Sequence, residues 1–265
     1  MPFLLTMLLD GAFELQPGDI VAAVGAGGKT AILSRLAGEL AAHGHCVLST
    51  TTTHIWQPAG PCIVEADEAA LIAAVTAAVR PGRVITVAAE REFVADPPGV
   101  APRPKLVGVQ PHLPGRLQKL DGVAHVLVEA DGAHGRAIKA PAEHEPVIPP
   151  SATVVVAVVG IDAVGQPLGK VIAHRPERLS ALLRIEPGTI LTPQHITALF
   201  EHPQGGRKGV PPLARFVVFI NKVENETHLA TARAIAAPLC RRSGIDRVVI
   251  GAAHAPQPVI EVWPS

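Results

Sequence analysis

Apolar residues along this chain fall into short runs that alternate with stretches of helical spacing. Asp19–Val24 is an apolar run ending in glycines, the pattern of a buried strand. Lys29–His43 sets Ile32, Leu33, Leu36 and Leu40 at helical intervals, and Gly44 supplies the stop. Cys46–Ser49, Val84–Ala88, His125–Val128, Thr153–Val159, Phe216–Ile220 and Arg247–Ile250 read as further strands. Asp67–Val79, Pro176–Leu183, Pro193–Phe200 and about Glu226–Arg241 read as helices, and Met1–Asp10 as a first helix packed on the body. The alternation predicts an α/β fold, a mostly parallel sheet flanked by helices on both faces. The prolines of Ala95–Pro104 and Pro203–Pro212 predict loops over strand ends. With no internal repeat and no linker, residues 1–265 read as a single domain.

Composition narrows the classes. Hydrophobic residues make up 48% of the chain against 17% charged, which supplies a core and excludes a disordered chain. The 23 basic side chains cancel the 23 acidic ones, so no broad field draws nucleic acid or an anionic membrane. With 3% aromatics and no tyrosine, a base-stacking platform is not expected. No apolar run is long enough to span a bilayer, and the N-terminus lacks the basic region and cleavage site of a signal peptide. Cys46, Cys62 and Cys240 are scattered and odd in number, which predicts buried thiols in a reducing, cytoplasmic setting.

The strongest chemical signal is Gly25-Ala26-Gly27-Gly28-Lys29-Thr30, between a predicted strand and a predicted helix. Glycines let backbone N–H groups converge on phosphate oxygens, and the helix N-terminus adds partial positive charge. Lys29 is placed to reach the β- and γ-phosphates and the Thr30 hydroxyl to bind Mg²⁺. Ala23 stands where the pattern G-x-x-x-x-G-K-[ST] has its first glycine, and the shorter spacing resembles the G-T-N-G-K-T loop of Mur-type ligases.

Two further strand ends should share that site, since ligands bind at the carboxyl ends of parallel strands. The run Ser49–Ile55 should face the γ-phosphate and offers the hydroxyls of Thr51, Thr52 and Thr53 to Mg²⁺, its waters or a second substrate; the alternative is a continuing strand. Val126–Gly132 ends an apolar strand in Glu129 and Asp131, carboxylates suited to holding Mg²⁺ or acting as a base. Arg136 and Lys139 follow, able to complement phosphate or hold an anionic substrate. The acids and His144 of Ala142–Pro149 match no established metal-ligand spacing.

These residues together resemble the YqeC family of accessory proteins for selenium-dependent molybdenum hydroxylases. The resemblance rests on the Val24–Thr30 loop, the Thr50–Thr53 run, Val128–Gly132, the string Lys139–Pro149 and Asn221-Lys222-Val223, and runs from about Pro17 to Gly251. It implies a fold like that of the P-loop NTPases, with ATP or GTP and Mg²⁺ as cofactors and a molybdenum hydroxylase or its maturation proteins as partners. It also implies roles for the Gly160–Leu168 loop and for His174 and Arg175, which either touch substrate or phosphate or only form the start of the following helix. Asn221, Lys222 and Glu224 stand where the family has N-K-h-D, the guanine-reading pattern; Glu224 carries the acceptor pair one methylene further out. Ala133-His134 departs from the small hydroxyl and basic pair expected there.

Three functions are then in play. The first is an NTP-hydrolysing accessory protein, with Lys29, Glu129 and Asp131 as the reacting groups. The second is a Mur-like ATP-dependent ligase or small-molecule kinase. The third is a nucleotide sensor without turnover.

Overall fold

The computed structural model describes residues 7–96 and 98–265. The first half of the chain forms α1 (Leu9–Ala12), β1 (Ile20–Gly25), α2 (Lys29–Ala42), β2 (Cys46–Thr51), β3 (His54–Trp56), β4 (Cys62–Val64), α3 (Glu68–Ala78), β5 (Val84–Ala88), β6 (Glu90–Val94), β7 (Arg103–Val107), α4 (Leu113–Gln118) and β8 (Val123–Glu129). The second half forms β9 (Ile138–Lys139), β10 (Val154–Gly160), β11 (Ala173–His174), α5 (Pro176–Leu183), α6 (Pro193–Glu201), β12 (Arg215–Asn221), α7 (Glu226–Leu239), β13 (Arg247–Gly251) and β14 (Val259–Pro264).

Among the described residues nine strands make one sheet, in the order β14-β13-β12-β10-β1-β8-β2-β5-β4. Every pairing is parallel except that of β14, which runs antiparallel to β13. The α/β expectation therefore holds. The central strands are apolar on both faces, so both faces need cover. Helix α2 lays Ile32, Leu33, Leu36 and Leu40 on Val21, Ala23, Val47 and Leu127, with Leu9 and Phe13 beside them. The opposite face is covered by α5, α6 and α7 over β10, β12 and β13, and by α3 and α4 over β2, β5 and β8.

The chain leaves β1 toward β2 on one side and leaves β10 toward β12 on the other. The strand order thus reverses around β1, and a crevice opens at the carboxyl ends there. The register places Glu129 beside both Ala23 and Thr51, just below Gly25.

Several boundaries differ from the sequence reading. Strand β2 runs on through Thr50 and Thr51. The proline-rich loop ends sooner than read, because Pro104 lies inside β7, opposite Phe93 of β6. The Pro104 carbonyl accepts from Gln57 N–H (3.0 Å) just past the end of β3, so its nitrogen faces that edge, where the pairing ends, and the β6 ladder needs no N–H from it. Strands β3, β7 and β6 form a small antiparallel sheet the pattern did not predict. The predicted first helix is the single turn α1; its Met1–Thr6 portion lies outside the described residues. Cys46 is buried, Cys62 and Cys240 are half-buried, and all three are free thiols. Among the described residues no helix is long and apolar enough to cross a membrane.

Candidate functional site

The glycine loop is short: Ala26, Gly27 and Gly28 separate β1 from α2. Gly27 and Gly28 hold φ of +88° and +125°, a region L side chains rarely adopt. A Cβ on Gly27 would sit 2.7 Å from the Gly160 Cα, and one on Gly28 would strike the Asn221 side-chain amide. The backbone therefore closes on β10 and β12 where no side chain fits. Two loop amides point inward, Ala26 N–H donating to the Val158 carbonyl (3.0 Å) and Gly27 N–H to that of Arg136 (2.8 Å). Those of Gly28, Lys29 and Thr30 open α2, where an N–H group has no intrahelical acceptor and the helix dipole is positive. Gly27–Thr30 line a cleft of about 560 Å³.

Beneath the loop lies a ladder of alternating charges, nearly all of it out of water. Lys29 Nζ donates to the Gly25 carbonyl (2.7 Å) and lies 3.1 Å from Asp131 Oδ1 and 3.9 Å from Glu129 Oε1. Asp131 Oδ2 accepts from Gly25 N–H (3.0 Å) and lies 3.0 Å from Lys139 Nζ. Lys139 also donates to the Gly132 carbonyl (2.6 Å) and to Glu145 Oε2 (2.8 Å). Arg175 closes the far end with a two-pronged contact to Glu145. Three negative and three positive side chains alternate, as buried charges require.

The carboxyls feel this unequally. Burial pushes Glu129 above the usual carboxylate range, against the pull of Lys29 and the Thr30 hydrogen bond. Burial also pushes Glu145 up, but Arg175 and Lys139 outweigh it and the carboxyl falls to about 2. Burial, then Arg175 and Lys139, push His174 down to about 4, so it is a neutral imidazole at pH 7, stacked on His134 with centroids 4.8 Å apart. Strand β9 pairs with β11 with Lys139 opposite His174, which is how residues far apart in sequence reach one ladder.

Of the residues singled out from sequence, Gly27, Gly28, Lys29, Thr30, Glu129, Arg136 and Lys222 line the cleft. Thr30 Oγ1 donates to Glu129 Oε2 at 2.7 Å, so hydroxyl and carboxylate face each other across its floor. Asp131 sits deeper, its Oδ2 held by Gly25 N–H and Lys139 and its Oδ1 buried with the Lys29 charge 3.1 Å away but no hydrogen bond, and Glu129 is the carboxylate that lines the cleft. The threonine hydroxyls brace the fold: Thr51 donates to the Glu129 carbonyl (2.7 Å), Thr52 to the Val147 carbonyl (2.6 Å), and Thr53 stands 3.2 Å from the Thr51 hydroxyl. Asn221 is buried between the loop and β13, its amide donating to the Gly27 carbonyl (2.7 Å) and its oxygen accepting from Ala253 N–H (3.0 Å). Lys222 pairs with Asp162 (2.7 Å), and Glu224 is exposed. Lys139 and Arg175 serve the ladder, not the cleft wall.

Sequence reasoning carried the run to His54 and Ile55 but missed Trp56 of β3 and Lys105 of β7, which line the cleft with them. The available signal was Trp56, one of two tryptophans in the chain, placed just after the threonine run. Arg103 lies over its ring at 4.3 Å and Lys105 at 5.4 Å.

Comparison with known proteins gives the family. The family model described as YqeC protein matches residues 21–177, from the strand before the glycine loop to just past Arg175. The chain is 34% identical over 218 residues to a protein of Escherichia coli (strain K12) described as uncharacterized protein YqeC, covering 82% of this chain and 80% of that one. No solved structure matches. The family match thus takes in the whole ladder and most of the cleft, and this chain belongs to the YqeC family.

Proposed function

We propose that this chain binds a nucleoside triphosphate with Mg²⁺ in the manner of the P-loop NTPases, hydrolyses it, and does so in the maturation of a selenium-dependent molybdenum hydroxylase. The observation that carries the proposal is the start of α2. Left-handed glycines present three helix-opening amides to a cleft, and Lys29, Thr30 and Glu129 converge at the same point.

The residues present fit such a ligand. The cradle at Gly27 and Gly28 is one a Cβ would fill, which suits a close backbone approach to an anion. Among the described residues no three His, Cys, Asp or Glu side chains cluster as metal ligands. A hard cation here relies on the Thr30 hydroxyl and phosphate oxygens, with Glu129 beside them reached through a bound water, the sparse donor set usual for Mg²⁺. Bound Mg²⁺ supplies neutralisation of the charge that develops on phosphate oxygens. The amides of Gly28, Lys29 and Thr30 hold phosphate, and Lys29 adds its charge. Glu129, its carboxyl raised by burial, is tuned to orient a water and accept its proton. Asn221 fixes the Gly27 carbonyl and so the shape of the loop.

Calorimetry with MgATP and MgGTP tests the reading. Lys29→Ala should abolish binding of both while circular dichroism stays native. Glu129→Gln should bind and lose hydrolysis by about 10²–10⁴-fold, the usual weight of a general base. Unchanged affinity in Lys29→Ala would sink it. Phosphate release stimulated by a hydroxylase supports the accessory role; a phosphorylated or ligated small molecule would favour the ligase or kinase reading instead.

A further inference from the structure

The cleft is wider than a site for the triphosphate alone. The sheet order sets Lys222 on one side of the glycine loop and Glu129 on the other, with the β3–β7 wall beyond Glu129. A triphosphate lying along Gly28–Thr30, with its nucleoside toward Lys222, ends at Thr30 and Glu129. The space between Glu129 and that wall is left over.

Its lining is specific. Ile55 and Trp56 give an apolar surface, and Lys105 stands on the same wall. Arg136 enters from the loop after β8, one nitrogen donating to the Val171 carbonyl at 3.1 Å. Among the described residues neither Lys105 nor Arg136 forms an ion pair with a carboxylate. The other cations near the loop are already matched, Lys29 by Asp131 and Lys222 by Asp162. Asp96 also lines the cleft and pairs with neither. Lys105, its ammonium 5.4 Å from the Trp56 ring, and Arg136 are half-buried cations without a carboxylate partner, and with the apolar surface of Ile55 and Trp56 in the same cleft they make a receptor for an anion with a carbon skeleton.

We propose that the outer half of the cleft, between Trp56 and Lys105 on one wall and Arg136 on the other, binds a second substrate, a small organic anion carrying a carboxylate or phosphate group, and holds it beside Glu129. Its role as co-substrate rests on the nucleotide reading; its existence as a binding site does not. Lys105 and Arg136 take the anionic group, and Ile55 and Trp56 cover the apolar body.

The test uses Trp263→Phe, which leaves Trp56 as the sole tryptophan reporter. Citrate and inorganic phosphate are titrated by fluorescence and calorimetry into the full chain, with and without Mg²⁺ and a non-hydrolysable triphosphate. Citrate should bind saturably to the triphosphate-loaded protein, more tightly than inorganic phosphate, which lacks a body to cover. Lys105→Met and Arg136→Met should each weaken citrate by about tenfold, the weight of one charge-assisted hydrogen bond, and leave the triphosphate alone. Lys29→Ala should do the reverse. Absence of saturable citrate binding, or citrate binding lost in Lys29→Ala and kept in Lys105→Met, overturns the proposal. Loss of triphosphate binding in the wild-type chain with Lys105-dependent citrate binding intact would overturn the nucleotide reading and leave this one standing.

Discussion

Replacing Lys139 by methionine removes one charge from the middle of the buried ladder while keeping most of the side chain's volume. The ammonium has three acceptors, the Gly132 carbonyl at 2.6 Å, Glu145 at 2.8 Å and Asp131 at 3.0 Å, and its side chain is 1% exposed. Without it the ladder carries one net negative charge. Asp131 keeps Lys29 as counter-ion, and Glu145 keeps Arg175. Removing one partner from a buried, hydrogen-bonded ion pair costs about 3–5 kcal/mol. Arg175 is a quarter exposed and can follow Glu145 toward water, so the lower end applies, about 3 kcal/mol. In a chain of this size that lowers Tm by roughly 6–12 °C.

The assay is urea unfolding at pH 7, with the loss read from the midpoint at unchanged slope. A second variant separates charge from packing. Lys139→Met with Glu145→Gln removes adjacent opposite charges and returns the ladder to neutrality. The pair should be less damaging than the sum of its singles by about 1 kcal/mol or more, as directly contacting residues are. A single variant within about 1 kcal/mol of wild type, or strict additivity of the two, would refute the view that charge balance organises this layer.

Three other outcomes follow from the same geometry. The Glu145 carboxyl lies at about 2 when folded, against an unfolded value of 4.5, so its stabilisation is present above about pH 4.5 and lost as pH falls through 2. The full shift is worth roughly 3 kcal/mol, reduced by screening at the open Arg175 end to about 1–2, and the stability gap between wild type and Glu145→Gln should shrink by that amount on acid titration; a gap independent of pH would remove the argument. Gly27→Ala should cost roughly 2–4 kcal/mol by urea unfolding, since the methyl meets the β10 backbone and the residue must keep a positive φ. Asn221→Ala leaves the Gly27 carbonyl and Ala253 N–H without partners and should cost about 1–3 kcal/mol, with faster hydrogen exchange at Ala253 as the local readout.

What was legible in the sequence is what local pattern controls. Helix α2 follows from the spacing of Ile32, Leu33, Leu36 and Leu40, and its start follows from Gly27-Gly28-Lys29-Thr30. Strand β8 ends at Glu129, yet Glu129 and Asp131, two apart, both reach Lys29, as their spacing suggested. What was not legible depends on partners distant in sequence. Thr51, Thr52 and Thr53 read first as ligands, with a continuing strand as the alternative, and the pairing with β8, distant in sequence, carries the strand on through Thr51. Pro104 reads as loop because its missing N–H counts against a strand, yet its nitrogen faces the edge where the β3 pairing ends and not the ladder to β6. The antiparallel sheet went unseen for the same reason, and with it the Trp56–Lys105 wall. Lys139 reads as a phosphate or substrate cation, but β9 turns it inward onto Asp131 and Glu145.

That inward turn has a consequence for the proposed nucleotide site. Lys29 now rests on the Gly25 carbonyl and on Asp131, so meeting a phosphate means giving up at least part of those contacts. Were Lys29 the sole counter-ion of Asp131, its departure would strand a carboxylate that is 2% exposed, at a cost of several kcal/mol. Lys139, 3.0 Å away on the other oxygen, keeps that carboxylate matched. Lys139 is therefore what frees Lys29 to move. In Lys139→Met triphosphate affinity should fall by about tenfold or more even where the protein remains folded, because binding must then uncover Asp131. Equal affinity in folded Lys139→Met and wild type would show that Lys29 reaches phosphate without leaving Asp131, and that the ladder serves the fold alone.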